Sequence, residues 1–276
     1  MEATILPPGP YRAAWLSTPV RQNPDTESVW VTELVSGELV RVLSCEPGWA
    51  QVVVPGQPSS LDPRGYPGWV PVAALHPEDG PPEWQAVAAA AVALLPTGRS
   101  LTLPMGTLLW RANGSGREGE TAARLASGER VRVPSSLLAR WPAPKLGREE
   151  LLRALRDVWK DQRYVWGGTS TVTGVDCSGL VFRTHQRIGI SVPRDAADQF
   201  EHAPSRVTGG LSGATAGDLV FFQSESNPAI DHVGVYLGDG LYVSAYFGAG
   251  TISVHPVSND RFVAWASYLP PTQSGP

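Results

Sequence analysis

The chain has 276 residues, enough for two domains of ordinary size or three small ones. Its 29 glycines and 26 prolines make up about a fifth of the residues, short of low-complexity disorder but well above average, which favours a turn-rich, strand-rich protein over a helical bundle. A net charge of −4 gives no basic footprint for nucleic acid, no apolar run is long enough to span a bilayer, and two cysteines exclude a disulfide scaffold or a cysteine-built zinc cluster.

The amino-terminal stretch MEATILPPGPYR has no basic start followed by an apolar run, so a cytoplasmic address is expected. Further along, SGELVRV begins at Ser36 and SGERVRV at Ser127, agreeing at six of seven positions. Each reads as a Ser-Gly turn feeding a strand of alternating apolar residues, and the pair is read as an internal repeat. The first copy continues through WAQVVVPG to GYPGWVPVAAL, the rhythm of a small β-barrel. It resembles a bacterial SH3-like domain, expected over residues 1–78. A second, divergent one is expected over 83–142, where LARW stands in place of the Gly-Trp-Val pattern. The Pro-rich stretches 77–82 and 142–147 read as linkers.

After Gly147 the period changes. Leu151, Leu152, Leu155, Val158 and Trp159 share one face of a helix, with Glu149 and Glu150 in its first turn. A second helix is predicted to start at Cys177 behind an Asp176 cap, with Leu180, Val181, Thr184 and Ile188 as its stripe and Gly189 past its end. From Asp218 the sequence is strand-like: DLVFFQ, HVGVYLGDGLYVSAY and TISVHPV. Helices followed by consecutive strands make this region α+β.

The chemistry concentrates in YVWGGTSTVTGVDCSG, residues 164–179. A cysteine in the first turn of a helix faces the positive end of the helix dipole, which is expected to lower its pKa. A thiol nucleophile also needs an imidazole, and His232, on a strand 55 residues later, is the best candidate. Cys45 reads as core. His76, His185 and His202 show no metal-ligand spacing, so no metal and no cofactor is expected.

Tyr-x-Trp-Gly-Gly, Asp-Cys-Ser-Gly, Pro-Arg-Asp, Gly-Asp-Leu-Val-Phe-Phe and Asp-His-Val-Gly-Val-Tyr-Leu-Gly occur in the order found in the NlpC/P60 cysteine peptidases, papain-like enzymes that cut cell-wall peptides. The chain resembles that family over about residues 146–269, and the peptidase domain is expected over 146–276. The expected fold is thus a papain-like α+β domain behind two small SH3-like barrels. With SH3-like domains in front, the nearest likeness is to the γ-D-glutamyl-L-diamino acid endopeptidases, also called dipeptidyl-peptidase VI. These release L-Ala-γ-D-Glu from murein peptides with a free N-terminal L-Ala.

The resemblance implies Cys177 as nucleophile and His232 as general base. The Cys177 amide and the Tyr164 hydroxyl would hold the oxyanion. Asp176 would bind the substrate amine, Ser178 and Arg194 the D-Glu moiety, and Tyr66 would close the amine end. Glu33, chosen over Glu38, would assist from the first barrel. Ser244, 12 residues after His232, stands where the family usually carries a third polar residue that orients the imidazole; His255 is a conceivable substitute. Murein peptide is the one partner implied, with no obligate protein partner, nucleic acid or membrane. Two alternatives stay open: a catalytically impaired wall-binding adaptor, which Ser244 would mark, and a secreted wall hydrolase.

Overall fold

Alternation of apolar and polar residues through the first 140 positions requires antiparallel strands with one buried face. In the computed structural model, which describes residues 6–113, 117–159, 162–224, 228–258 and 261–270, these strands form two seven-stranded sheets. The first runs in the spatial order Trp30–Val35, Ser17–Arg21, Tyr66–Pro71, Trp49–Val54, Leu39–Glu46, Gly9–Ala13, Leu75–Pro77. The second has the same order: Ser100–Pro104, Ala90–Leu94, Arg130–Pro134, Glu120–Arg124, Leu108–Arg111, Trp84–Ala86, Leu138–Arg140. A short 3-10 turn precedes the last strand of each, Val72–Ala74 and Ser135–Leu137.

The chain therefore repeats in topology, but the heptapeptide pair does not mark the repeat. SGELVRV leads into the fourth strand of its sheet in chain order, SGERVRV into the sixth of its own. The topological counterparts are WVPVAAL at 69–75 and RVPSSLL at 132–138, which share Val-Pro and a closing Leu. The physical reason is that a tight turn has few solutions. Gly37 (φ 92°) and Gly128 (φ 83°) both supply the positive φ that L side chains avoid, and any strand that follows must alternate. Similar local demands produced similar heptapeptides at non-equivalent turns, the first between strands that are not sheet neighbours and the second within a hairpin.

Each sheet closes over its own core: Val20, Leu34, Val40, Val52 and Val70 in the first, Leu103, Leu109, Leu125, Val131 and Val133 in the second. The remainder carries helices α1 (Arg148–Trp159), α2 (Cys177–Arg187) and α3 (Ala196–Glu201). They pack with a six-stranded antiparallel sheet in the order Arg206–Thr208, Phe262–Ala266, Leu219–Gln223, Ile230–Gly238, Leu241–Tyr246, Thr251–Pro256. The predicted stripes are buried: Leu151, Leu155 and Val158 of α1 meet Leu180 and Val181 of α2 over Val233, Val235 and Val243. The side chain of Trp159 lies outside the described residues. Among those residues no helix is long and apolar enough to cross a membrane.

The first sheet and the helical unit are locked by buried charge. Arg183 of α2, 1% exposed, pairs with Glu38 at 3.0 Å and donates to the Thr169 carbonyl (3.0 Å) and hydroxyl (2.8 Å). Glu38 also accepts from the Val35 amide at 2.8 Å. Glu33, fully buried, accepts the amides of Thr169 (2.9 Å) and Ser170 (2.8 Å) and the hydroxyls of Thr173 and Ser17. The second sheet joins through Met105, whose side chain enters the core around α2 and whose amide donates to Thr171 at 2.9 Å.

Removing one partner of a buried pair strands the other charge away from water. Glu38→Ala should lower the unfolding free energy by about 3–5 kcal/mol, measured by urea titration. A loss within error of wild type would show that Arg183 is hydrated.

Candidate active site

Helix α2 begins where it does because Asp176 caps it, accepting from the Gly179 amide at 2.6 Å. The glycines around it are demanded by close approach. A Cβ on Gly179 would sit 2.1 Å from the Gly168 carbonyl oxygen, and one on Gly167 (φ 72°) would sit 2.9 Å from the Trp30 carbonyl oxygen of the first sheet. Asp-Cys-Ser-Gly and Trp-Gly-Gly thus bring the start of α2, its preceding loop and the first sheet into backbone contact.

A cleft of about 980 Å³ opens along this seam. Its lining brings together Cys177, His232, Tyr164, Asp176 and Ser178 with Tyr66 of the first sheet. Trp166 is 66% exposed on the cleft's rim.

Cys177 is partly buried at the start of α2. The amides of Val233 and Ser178 point at its sulfur and favour the thiolate, but burial and the negative charge of Asp176 prevail and push the thiol up to about 12. This overturns the expectation of a dipole-lowered pKa: the helix end is present, yet its Asp cap and its dry setting outweigh it. His232 is moved the other way, down to about 4, by burial and then by the charges of Arg261 and His255. Sulfur and ring are therefore both neutral near pH 7. Tyr164, packed edge-on against Phe247 at 5.5 Å, has its hydroxyl pKa raised by burial and by the nearby Cys177 and Asp176, so it remains a hydrogen-bond donor.

Three expectations need correction. Arg194 is 1% exposed and offers no fork to a ligand. Its Nε donates to Thr32 (2.9 Å), one terminal nitrogen to Asp176 (3.1 Å) and Ser178 (2.8 Å), the other to Asp176 (2.7 Å) and the Gly168 carbonyl (3.5 Å). All five N–H groups are used, so Arg194 positions Asp176 and Ser178. Glu33 does not reach the cleft, because its carboxylate is spent on the loop at 169–173. Ser244 does not orient the imidazole: it is fully buried and donates to the Val233 carbonyl at 2.7 Å.

Asp176 lines the cleft, but its oxygens are matched by Arg194 and by the amides of Gly167 (2.9 Å) and Gly179. Another carboxylate on the cleft, not singled out from the sequence, is Asp195, which lies 3.9 Å from Arg194. Its side chain is 40% exposed and lines the cleft. It sits at the N-cap of α3 yet makes no capping bond, and instead accepts from the Tyr66 hydroxyl at 3.0 Å. The available signal was the Asp of Pro-Arg-Asp. Among the described residues no group of His, Cys, Asp and Glu could hold a metal ion.

Comparison with known proteins agrees with this geometry. Residues 161–267 match the model of the NlpC/P60 family. The chain is 32% identical over 237 residues to the gamma-D-glutamyl-L-lysine dipeptidyl-peptidase of Bacillus subtilis, covering 78% of this chain and 72% of that one. It is 26% identical over 262 residues to the Bacillus cereus protein of the same name, covering 86% and 75%. The crystal structure of an NlpC/P60 family protein from Bacillus cereus superposes with a TM-score of 0.84 over 95% of this chain and all of that one, at 20% identity, a likeness of fold.

With a thiol near 12 and an imidazole near 4, the nucleophile must be made during attack rather than held in advance. At pH 7 iodoacetamide should label Cys177 roughly a thousandfold more slowly than a free thiol of pKa about 8.5, rising about tenfold per pH unit to pH 9. Peptide mapping by mass spectrometry separates Cys177 from Cys45. Because the base must be unprotonated, kcat/KM should fall on the acid side only as pH drops toward 4. Rapid labelling at pH 7 would show a resting ion pair instead.

Proposed function

From a chain that belongs to the NlpC/P60 family of cysteine peptidases, we propose hydrolysis of the γ-D-Glu–L-diamino acid bond in murein-derived peptides with a free N-terminal L-Ala, releasing L-Ala-γ-D-Glu. In this reading the two seven-stranded sheets are SH3-like domains, and the first of them forms one wall of the substrate cleft. The observation that carries the proposal is the meeting of Cys177, His232 and Tyr164 with the Tyr66–Asp195 pair, which spans two structural units, along one cleft.

The sulfur of Cys177 attacks the γ-carbonyl carbon of D-Glu as its proton passes to His232. The Cys177 amide and the Tyr164 hydroxyl stabilise the oxyanion, each donor worth about 3–4 kcal/mol in comparable sites. His232 then gives the proton to the departing α-amine of the diamino acid, the C–N bond breaks and a thioester remains. Water, deprotonated by His232, attacks the thioester, returning the thiol and freeing the dipeptide.

Specificity comes from the far end of the cleft. The L-Ala ammonium is placed against Asp195 beside Tyr66, since Arg194 bonds Asp176 directly at 2.7 Å and stands 3.9 Å from the more exposed Asp195. A residue ahead of L-Ala would meet that closed end and leave Asp195 without its counter-charge. Ser178, whose hydroxyl lies between Arg194 and Asp176 on the cleft wall, is placed against the D-Glu moiety. One observation favours the impaired-adaptor alternative, namely that Ser244 is bonded away from the imidazole.

The deciding experiment is incubation with L-Ala-γ-D-Glu-L-Lys and detection of L-Ala-γ-D-Glu by mass spectrometry. Product is expected from the wild type and none from Cys177→Ala. No product from either would favour the adaptor. N-acetylation of the L-Ala should cost about 100-fold in kcat/KM, and Asp195→Asn should remove most of that discrimination by weakening the free-amine substrate alone. Equal cleavage of acetylated and free peptides by the wild type would refute the assigned amine site.

A further inference from the structure

Among the described residues no polar side chain bonds Nε2 of His232, and the ring's surroundings are aromatic. Nε2 is buried without a hydrogen-bond partner among the described residues. Ser244, at the position of the usual orienting residue, is bonded to the Val233 carbonyl. Around the ring stand Phe222 at 5.7 Å and 45°, Tyr242 at 6.2 Å and 70°, and Tyr246 at 5.3 Å and 86°. Both tyrosines are backed by His255, whose ring lies 5.7 Å from Tyr242 and 5.0 Å from Tyr246. His255 is fixed in turn by Ser253, 2.7 Å from its Nε2. Phe222 supports Tyr242 from the other side at 4.8 Å.

We propose that this aromatic box, with Tyr246 as its edge-to-face wall, orients His232 in place of a polar third residue and selects the tautomer protonated on Nε2. The face of a tyrosine ring is electron-rich, so it attracts an N–H edge and repels a lone pair. Buried without a polar partner in this aromatic enclosure, Nε2 is more stable carrying the proton. That leaves the lone pair on Nδ1, the form able to take a proton from Cys177. The surrounding ionisable groups do not oppose this choice: Arg261 and His255 both disfavour a charged ring, which keeps it neutral and tautomeric. A hydrogen-bonding third residue is one way to set a tautomer, and a packed π surface is another. Tyr246 is thus a positioning residue that acts through His232.

The inference rests on the catalytic reading of His232, and its test separates the two. The tripeptide kinetics of Tyr246→Phe and Tyr246→Leu are compared, with thermal unfolding as a fold control. Tyr246→Phe keeps the ring face and should retain kcat within about threefold, whereas Tyr246→Leu should lose about 10- to 100-fold in kcat with KM little changed. Independently of activity, nitrogen-15 NMR of histidine-labelled wild type, assigned against His232→Gln, should report the Nε2–H tautomer at pH 7. Finding the Nδ1–H tautomer, an undiminished kcat in Tyr246→Leu, or a loss in Ser244→Ala as large as in Tyr246→Leu would each overturn the inference. Wild type that leaves the tripeptide uncut overturns the proposed function, while the NMR measurement still decides the tautomer.

Discussion

Two buried guanidinium groups hold the functional end of the molecule together. Arg183 and Arg194 both project from the helical unit, are both 1% exposed, and both bond to the first sheet, through Glu38 and Thr32 respectively. A buried arginine without partners would cost several kcal/mol, so each carries a set of acceptors from both units. The geometry of the cleft follows. Arg194 fixes Asp176, Asp176 caps α2, and the cap fixes where Cys177 stands. The first sheet is therefore part of the active-site framework and not an appended module.

The same dryness that makes these pairs costly to break also sets the chemistry. Burial raises the Cys177 thiol and lowers the His232 imidazole, so neither group carries charge at rest. The proton has to move as the bond to carbon forms, and charge then develops next to the amide and hydroxyl donors that can stabilise it. In such a site the orientation of the base matters more than its basicity, and a rigid aromatic enclosure around His232 supplies orientation without adding a charge.

Substrate reading is divided between the units by the same logic. Carboxylates in this region serve different ends, and Asp231 on the cleft rim pairs with Arg261. Asp176, Glu33 and Glu38 are matched by arginine or backbone amides and serve the framework. Asp195 keeps its exposure, makes no cap bond despite standing at the start of α3, is held by a tyrosine from the first sheet, and meets Arg194 only at 3.9 Å. A carboxylate left this way at a helix start is available to a cationic ligand.

How much was legible in advance depended on how local the cause was. Asp176 before Cys177, the stripe Leu180–Val181, and Gly189 after it specify a helix and its start through contacts only a few residues long, and they are found as read. The alternating strands were legible for the same reason, whereas the heptapeptide pair misled because the chemistry of a tight turn before a strand is too generic to mark equivalence. Glu33, Arg194 and Ser244 have side chains of the right type at plausible positions, and the sequence could place all three at the site. Only the tertiary structure spends them elsewhere, on Thr169 and Ser170, on Asp176 and Thr32, and on the Val233 carbonyl. The thiol pKa was misjudged in the same way. A helix dipole can be read from a chain, but desolvation depends on what folds over the sulfur. Sequence by itself determined the helix that starts at Cys177 and the strand that carries His232, because these depend on neighbours along the chain. Which charges were left for a ligand was decided by packing between units, since a buried group bonds to whatever the fold brings within 3 Å of it.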